Sequence, residues 1–414
     1  MRGNRLLGLI VALLLLLPSA CRGTLEIRVE GTPGPAMGPA PVETLGRPSP
    51  TTHPNSGQTT SWPVDGSALL YRVGEALYWL DSQGQRAIGH LEDGAHTVRL
   101  STRYLAYVCE NELRTLHLSD GEGRILVDLA DCAAQAHDLC WADDGSAVAY
   151  AAAWDEADGS RQIRLGTADG YEQRTVAEIV ARPAGPTPIP RPDPPPFLQY
   201  PGFTHLRVLA FQRTLGQIAV VPCGGEEGHS AVWLYDVRTR ERVLTVPLPA
   251  GVSEMATSPD LDYLAYARYD PSRGEGECAV YDLGRGAVKA RVALPGGTHA
   301  AGLHWSPGGE RLAYVLREGT EPGLAITPTL ALYVLDLQTG QVQRLPLVVS
   351  PEAMLHGWTP DGEALLVEML DALGGERVLQ LIEGATHVVT NVAAPAGAQI
   401  LGLVKTGQKP EVEP

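Results

Sequence analysis

One turn recurs along this chain and limits what it can fold into. At 304–309 the sequence reads His304-Trp305-Ser306-Pro307-Gly308-Gly309, followed by the short apolar run Arg311-Leu312-Ala313-Tyr314-Val315-Leu316. The same order returns as Trp358-Thr359-Pro360-Asp361-Gly362 before Ala364 to Met369. It returns again as Trp141-Ala142-Asp143-Asp144-Gly145 before Ala147 to Ala152, and as Trp62-Pro63-Val64-Asp65-Gly66 before Ala68 to Val73. Proline presets φ for a turn, and glycine supplies the positive φ at which a hairpin reverses. Two strands later comes a second turn, Asp336-Leu337-Gln338-Thr339-Gly340, with Asp81, Asp236 and Asp282 in the position of Asp336. An aspartate there can accept hydrogen bonds from the amides of its own turn. The intervening runs are rich in Leu, Val, Tyr and Ala and bounded by Gly, Pro and Asp, which is the pattern of β-strands.

Reduced copies of the unit begin at Leu100, Phe211 and Thr257, so the anchors fall at 62, 100, 141, 211, 257, 305 and 358. Repeats of this length accommodate four short strands, the content of one propeller blade. The expected fold is all-β, a seven-bladed β-propeller of four-stranded antiparallel blades, with no helix longer than two turns. A propeller has to close. Gln399 to Val404 read as one more strand, and the expectation is that it pairs beside Ala68 to Val73 as the innermost strand of the first blade, joining the two chain ends.

The Trp-Ser/Thr-Pro-Asp/Gly-Gly turn, the Leu-Ala-Tyr strand and the later Asp-x-x-Thr-Gly turn resemble the short repeats of TolB-like propellers. The resemblance spans roughly Trp62 to Val404. It implies the fold and leaves function open, because such propellers serve as scaffolds, receptors and accessory domains.

The ends read differently. Residues 1–20 carry Arg2 and Arg5 and then the apolar run Leu6 to Leu17, the layout of an export signal and too short for a membrane span of about 20 residues. Pro18-Ser19-Ala20-Cys21 resembles a bacterial lipoprotein processing site, which makes Cys21 the expected lipidation site; cleavage with secretion and an uncleaved anchor are the alternatives. Residues 21–61, rich in Pro, Thr and Ser, are expected to be a disordered tether with a reach of roughly 35 Å. The propeller is assigned to 62–404 and a disordered tail to 405–414. A Pro-rich insertion at 182–203 separates the third blade from the fourth and favours polyproline II. It reads as a surface loop, a lid or a docking segment.

The formal charge of −16 repels nucleic acid and anionic lipid. There is no Gly-x-Ser-x-Gly elbow, Walker A loop, His-Glu-x-x-His, Cys-x-x-Cys or EF-hand loop. No catalytic residue, resident metal or cofactor is assigned. In a propeller the b–c loops and d–a connections share one face, and here those segments are the long ones, which is where binding residues concentrate. They carry many carboxylates. Candidate ligand-binding residues are Glu226, Glu227 and His229 in one such loop. Four histidines near the starts of inner strands join them: His96, His137, His205 and His299. Imidazoles converging on a channel mouth can bind a transition metal or move protons. The bland alternative is a solvated loop face and a wet channel.

Export permits disulfides. Cys109–Cys132 and Cys223–Cys278 are the expected pairs, with Cys140 free and Cys132–Cys140 as the competing pair. The function expected is binding or scaffolding of a protein, peptide or glycan ligand by a monomer that meets the membrane only through its lipid. The runner-up is a lyase or lactonase sited in the channel.

Overall fold

The computed structural model describes residues 27–28, 62–110, 112–119, 121, 123–128, 139–153, 160–167, 173–180, 205–223, 231–318, 329–346, 353–370, 377–392 and 397–406. Seven four-stranded antiparallel sheets form the blades, and the described residues contain no helix. The innermost strands are Gln399–Lys405 in blade 1, His96–Leu100 in blade 2, Leu139–Trp141 in blade 3 and His205–Gln212 in blade 4. Blades 5, 6 and 7 begin with Val252–Thr257, Thr298–Trp305 and Ala353–Trp358. Each inner strand touches the inner strands of both neighbouring blades, so the blades stand in a ring.

The repeat explains the packing. Blades face one another, so a second strand is buried on both sides and reads as a continuous apolar run. In blade 6, Leu312, Tyr314 and Leu316 pack against blade 5, whereas Ala313 and Val315 pack against blade 7. Seven apolar clusters result, one in each gap between adjacent blades.

Both repeated turns do physical work at the predicted places. Asp336 Oδ1 accepts from the amides of Gln338 (3.0 Å) and Thr339 (2.8 Å), and Asp236 Oδ1 accepts from Arg238 (2.8 Å) and Thr239 (2.7 Å). Asp282 and Asp81 accept from Arg285 and Gln83, each at 2.8 Å. The repeated tryptophan latches one blade onto the blade before it. Trp305 donates its indole N–H to the carbonyl of Ala256, Trp358 to that of His304 and Trp141 to that of Arg99, each at 3.0 Å. In each case the acceptor lies on the preceding inner strand. The same indoles stack on Tyr263 (6.0 Å between centroids) and Tyr104 (5.9 Å), or lie under the Arg311 guanidinium (4.8 Å).

The C-terminal strand is where the sequence placed it. It runs antiparallel to Ser67–Val73, from Ser67 opposite Lys405 to Arg72 opposite Gln399. Ile400 and Val404 are buried, and Leu401 and Leu403 partly so. The strand extends through Lys405, one residue past the expected end, and the Thr406 amide donates to the Gly66 carbonyl at 2.7 Å. Ile27–Arg28 form a short strand along the outer edge of blade 5, with Ile27 opposite Val292 and Arg28 opposite Arg291.

Each expected bridge has one cysteine whose side chain is described. Cys109 and Cys278 are free thiols. Ala279 faces blade 4, and its neighbour Cys278 faces blade 6. Burial pushes the Cys278 thiol up to about 12, with Glu254 and Glu277 adding to the shift. Cys109 faces blade 1, and its Sγ donates to the Asp93 carbonyl at 3.5 Å. Cys132 and the side chain of Cys223 lie outside the described residues.

Candidate binding site on the loop-bearing face

A pocket of about 520 Å³ opens where the two ends of the propeller chain meet the connection into blade 2. Its walls are Arg72, Gly74 and Glu75 from the first b–c turn, Glu92 to Ala95 from the connection, and Gly397 and Gln399 from the entry to the last strand. The strand pairing positions the key side chain. Arg72 lies opposite Gln399, and its Nε donates to Gln399 Oε1 at 2.5 Å while Nη1 donates to the Ala95 carbonyl at 3.4 Å. Glu92 pairs with Arg114, whose Nε also donates to Glu112 at 2.7 Å. The lining therefore sets one guanidinium against the carboxylates of Glu75, Glu92 and Asp93, with no aromatic side chain. Gly74, Gly94 and Gly397 all have positive φ, and a Cβ on any of them would meet nothing within 4 Å. The turns are thus shaped by backbone conformation, and the space above them stays open.

Of the four histidines, His96 adjoins this pocket. Its ring is exposed and bonds to the Gly94 carbonyl through Nδ1 at 3.1 Å. His299 is separate, on the inner strand of blade 6, with its ring 5.9 Å from that of Tyr269. Burial holds its pKa below the ordinary imidazole value, Arg317 adds to the shift and Glu254 opposes it. His205 opens the inner strand of blade 4, and its side chain is outside the described residues, as are His137, Glu226, Glu227, His229, Cys21 and the insertion at 182–203. Two described carboxylates of the blade 5 loop are paired. Glu277 meets Arg268 at 3.3 Å and Asp270 meets Arg273 at 3.7 Å, so this part of the face has mixed charge.

The ring of inner strands holds polar groups that sequence reading passed over. Both oxygens of Glu254 on blade 5 accept backbone amides from blade 6, Gly302 at 2.8 Å and Leu303 at 2.9 Å. The register of the blade 6 strand shifts between Ala301 and His304, which frees those amides for a side-chain partner. Further round, His356 Nε2 lies 2.8 Å from Glu368 Oε2, and Arg377 donates to the other oxygen at 2.9 Å. The hydrogen bond from His356 is the main reason the Glu368 carboxyl sits below its ordinary value; burial opposes it. The nearby His304 is lowered to about 4, first by burial and then by His356, so it is neutral at pH 7. The shared signal was a histidine one or two places before the repeated tryptophan, in His304-Trp305 and His356-Gly357-Trp358. Among the described residues no three His, Cys, Asp or Glu side chains come together as a metal site.

No protein-family model and no curated protein sequence matches this chain. Solved structures do share its shape. An oligogalacturonate lyase in complex with manganese aligns with a TM-score of 0.51 at 13% identity, over 74% of this chain and 82% of that one. The oligogalacturonate lyase of Vibrio parahaemolyticus aligns with a TM-score of 0.51 at 12% identity, over 75% and 90%. TolB from Acinetobacter baumannii gives a TM-score of 0.41 at 14% identity, over 82% and 65%. At these identities the likeness to the lyases is one of fold alone.

Proposed function

We propose that this protein is an exported, lipid-anchored binding module that takes a peptide, protein or glycan ligand on its loop-bearing face. The observation that carries this reading is the pocket between Arg72 and the carboxylates of Glu75, Glu92 and Asp93. Its volume falls within the roughly 300–1,000 Å³ of small-ligand sites, and charged side chains stand among its glycines. A guanidinium held by two hydrogen bonds can present its remaining N–H groups to a carboxylate or hydroxyl, since guanidinium has several donors in a fixed fork. The carboxylates favour an ammonium or hydroxyl-rich group beside it. A chain end of a peptide or an amino-bearing sugar meets both demands.

The test is binding of the purified ectodomain to a panel of short cationic peptides and amino-sugar oligomers, compared with Glu75→Lys/Asp93→Lys. Neither of those carboxylates forms a side-chain hydrogen bond or ion pair described above. The double variant is expected to bind at least ten times more weakly with an unchanged melting temperature. Equal affinity for both proteins removes the pocket from the reading.

Anchoring has its own test. Cys21→Ser is expected to move the protein from the membrane fraction to the soluble fraction, or to leave it unprocessed. Identical fractionation of variant and wild type rules out the lipid as the main attachment. A second reading, a channel-sited lyase or lactonase, draws on neutral His304 beside the His356–Glu368 pair. It requires turnover of an oligogalacturonide or a lactone by the purified chain, lost in His356→Ala.

A further inference from the structure

We propose that the pocket between the two chain ends takes a cationic α-amino acid with a free carboxylate, either as the free amino acid or as the last residue of a peptide. This rests on the binding reading given above and narrows it to one chemical class. The charges around the pocket divide into those with partners and those without.

Arg72 keeps most of its hydrogen-bonding capacity in reserve. A guanidinium has five N–H donors. Nε is taken by Gln399 Oε1 and one Nη1 hydrogen by the Ala95 carbonyl, so both Nη2 hydrogens and the second on Nη1 remain. Three carboxylates line the same pocket, yet Arg72 forms no ion pair among the described residues. Both of its bonds go to neutral groups, which leaves its charge unmatched. Such a guanidinium takes a carboxylate through two parallel N–H bonds. Gln399 adds to the same spot: with Oε1 on Arg72 Nε, its NH2 group is left to donate.

The carboxylates are of two kinds. Glu92 is bonded to Arg114, which it shares with Glu112. Glu75 and Asp93 are exposed and have no side-chain partner among the described residues. One positive charge and two negative ones are therefore unmatched. Their complement is a ligand with one carboxylate and two cationic groups. A free diamino acid such as lysine carries all three, and as a peptide end it keeps the carboxylate and the side-chain ammonium. A phosphate or a dicarboxylate meets the excess of negative charge, and a plain diamine leaves Arg72 unmatched. The glycines between these charges do not obstruct them, since even a Cβ on Gly74, Gly94 or Gly397 would meet nothing within 4 Å.

Calorimetric titration of the purified full chain compares L-lysine, Gly-Gly-lysine, the C-terminal amide of each, and L-glutamate. At least one of the two acids is expected to bind about ten times or more tightly than its amide, and glutamate is expected not to bind. The tighter acid tells a free amino acid from a peptide end. Arg72→Gln is expected to lose the preference for acid over amide. Hydrogen exchange in the wild type locates the ligand without a variant: amides of 397–401 are expected to exchange several-fold more slowly with the tighter acid bound. Equal affinity for acid and amide overturns the proposal, as does a preference retained in Arg72→Gln or unchanged exchange at 397–401. If neither acid binds, it is overturned as well; amino-sugar oligomers that still bind the wild type and not Glu75→Lys/Asp93→Lys then spare the wider reading, and their failure removes both.

Discussion

A chain ending at Pro395 is expected to lose on the order of 5 kcal/mol of stability and about 10 °C or more of melting temperature. The truncation removes Ile400, Leu401, Leu403 and Val404 from between blades 1, 2 and 7. It also strips the inner partner from Ser67–Val73, along the pairing that runs from Lys405 to Gln399. Each fully buried aliphatic side chain is worth about 1.5–3 kcal/mol, and a domain has only about 5–15 kcal/mol to lose. The loss reaches further than blade 1, because Arg72 is held by Gln399 and the pocket wall at Gly397 disappears with the strand. Thermal unfolding of the truncated chain checks it; a melting temperature within a degree or two of wild type shows that the ring is held by the inter-blade cores alone.

Acid is expected to destabilise the protein in two stages. His304 has a folded pKa of about 4, against an ordinary value of 6.5. A histidine whose folded pKa is depressed binds protons first in the unfolded chain, so stability is lost as pH falls from about 6.5 to about 4. The shift corresponds to an upper limit of about 3 kcal/mol. Glu368 is also lowered, chiefly through its hydrogen bond with His356. The sign for a carboxylate is that its contribution is present above the unfolded value and disappears as pH falls through the folded one. Melting curves between pH 7 and 3 are therefore expected to fall through the whole range. His304→Gln flattens the upper part and Glu368→Gln the lower part. Curves for His304→Gln and wild type that run parallel from pH 6.5 to 4 exclude His304 as the origin.

The blades were legible because the repeated features are local. A Pro/Gly turn, a doubly buried strand and an aspartate closing its own turn are all written within about thirty consecutive residues, and Asp336, Asp236, Asp282 and Asp81 behave as their spacing implies. Strand Gln399–Lys405 was legible for a different reason: a ring needs an inner strand for blade 1, and no other segment remained to supply it. The pocket was not legible. Arg72 and Gln399 are remote in sequence, and the walls come from short turns, whereas the search for a site followed the long loops. The facing of Cys278 depends on a single step of alternation, which chain position alone does not give. His304 and His356 lie at the far ends of their inner strands, each at a register shift between the first and second strands of its own blade, which no spacing rule reports.

The tryptophan latches point one way along the chain, and that has a consequence for assembly in time. Trp141, Trp305 and Trp358 each reach back to a strand made earlier. A chain synthesised from its N terminus at about 5–20 residues per second can therefore seat these blades on finished neighbours as they emerge. Blade 1 is the exception, since its inner strand follows the strands of all the other blades in chain order. Until then the row of blades is an open crescent, with Ser67–Val73 waiting at one end and Ala353–Trp358 at the other. Strand Gln399–Lys405 acts as a timing signal: the circle stays open until it pairs with Ser67–Val73, and only then does Arg72 gain its partner Gln399.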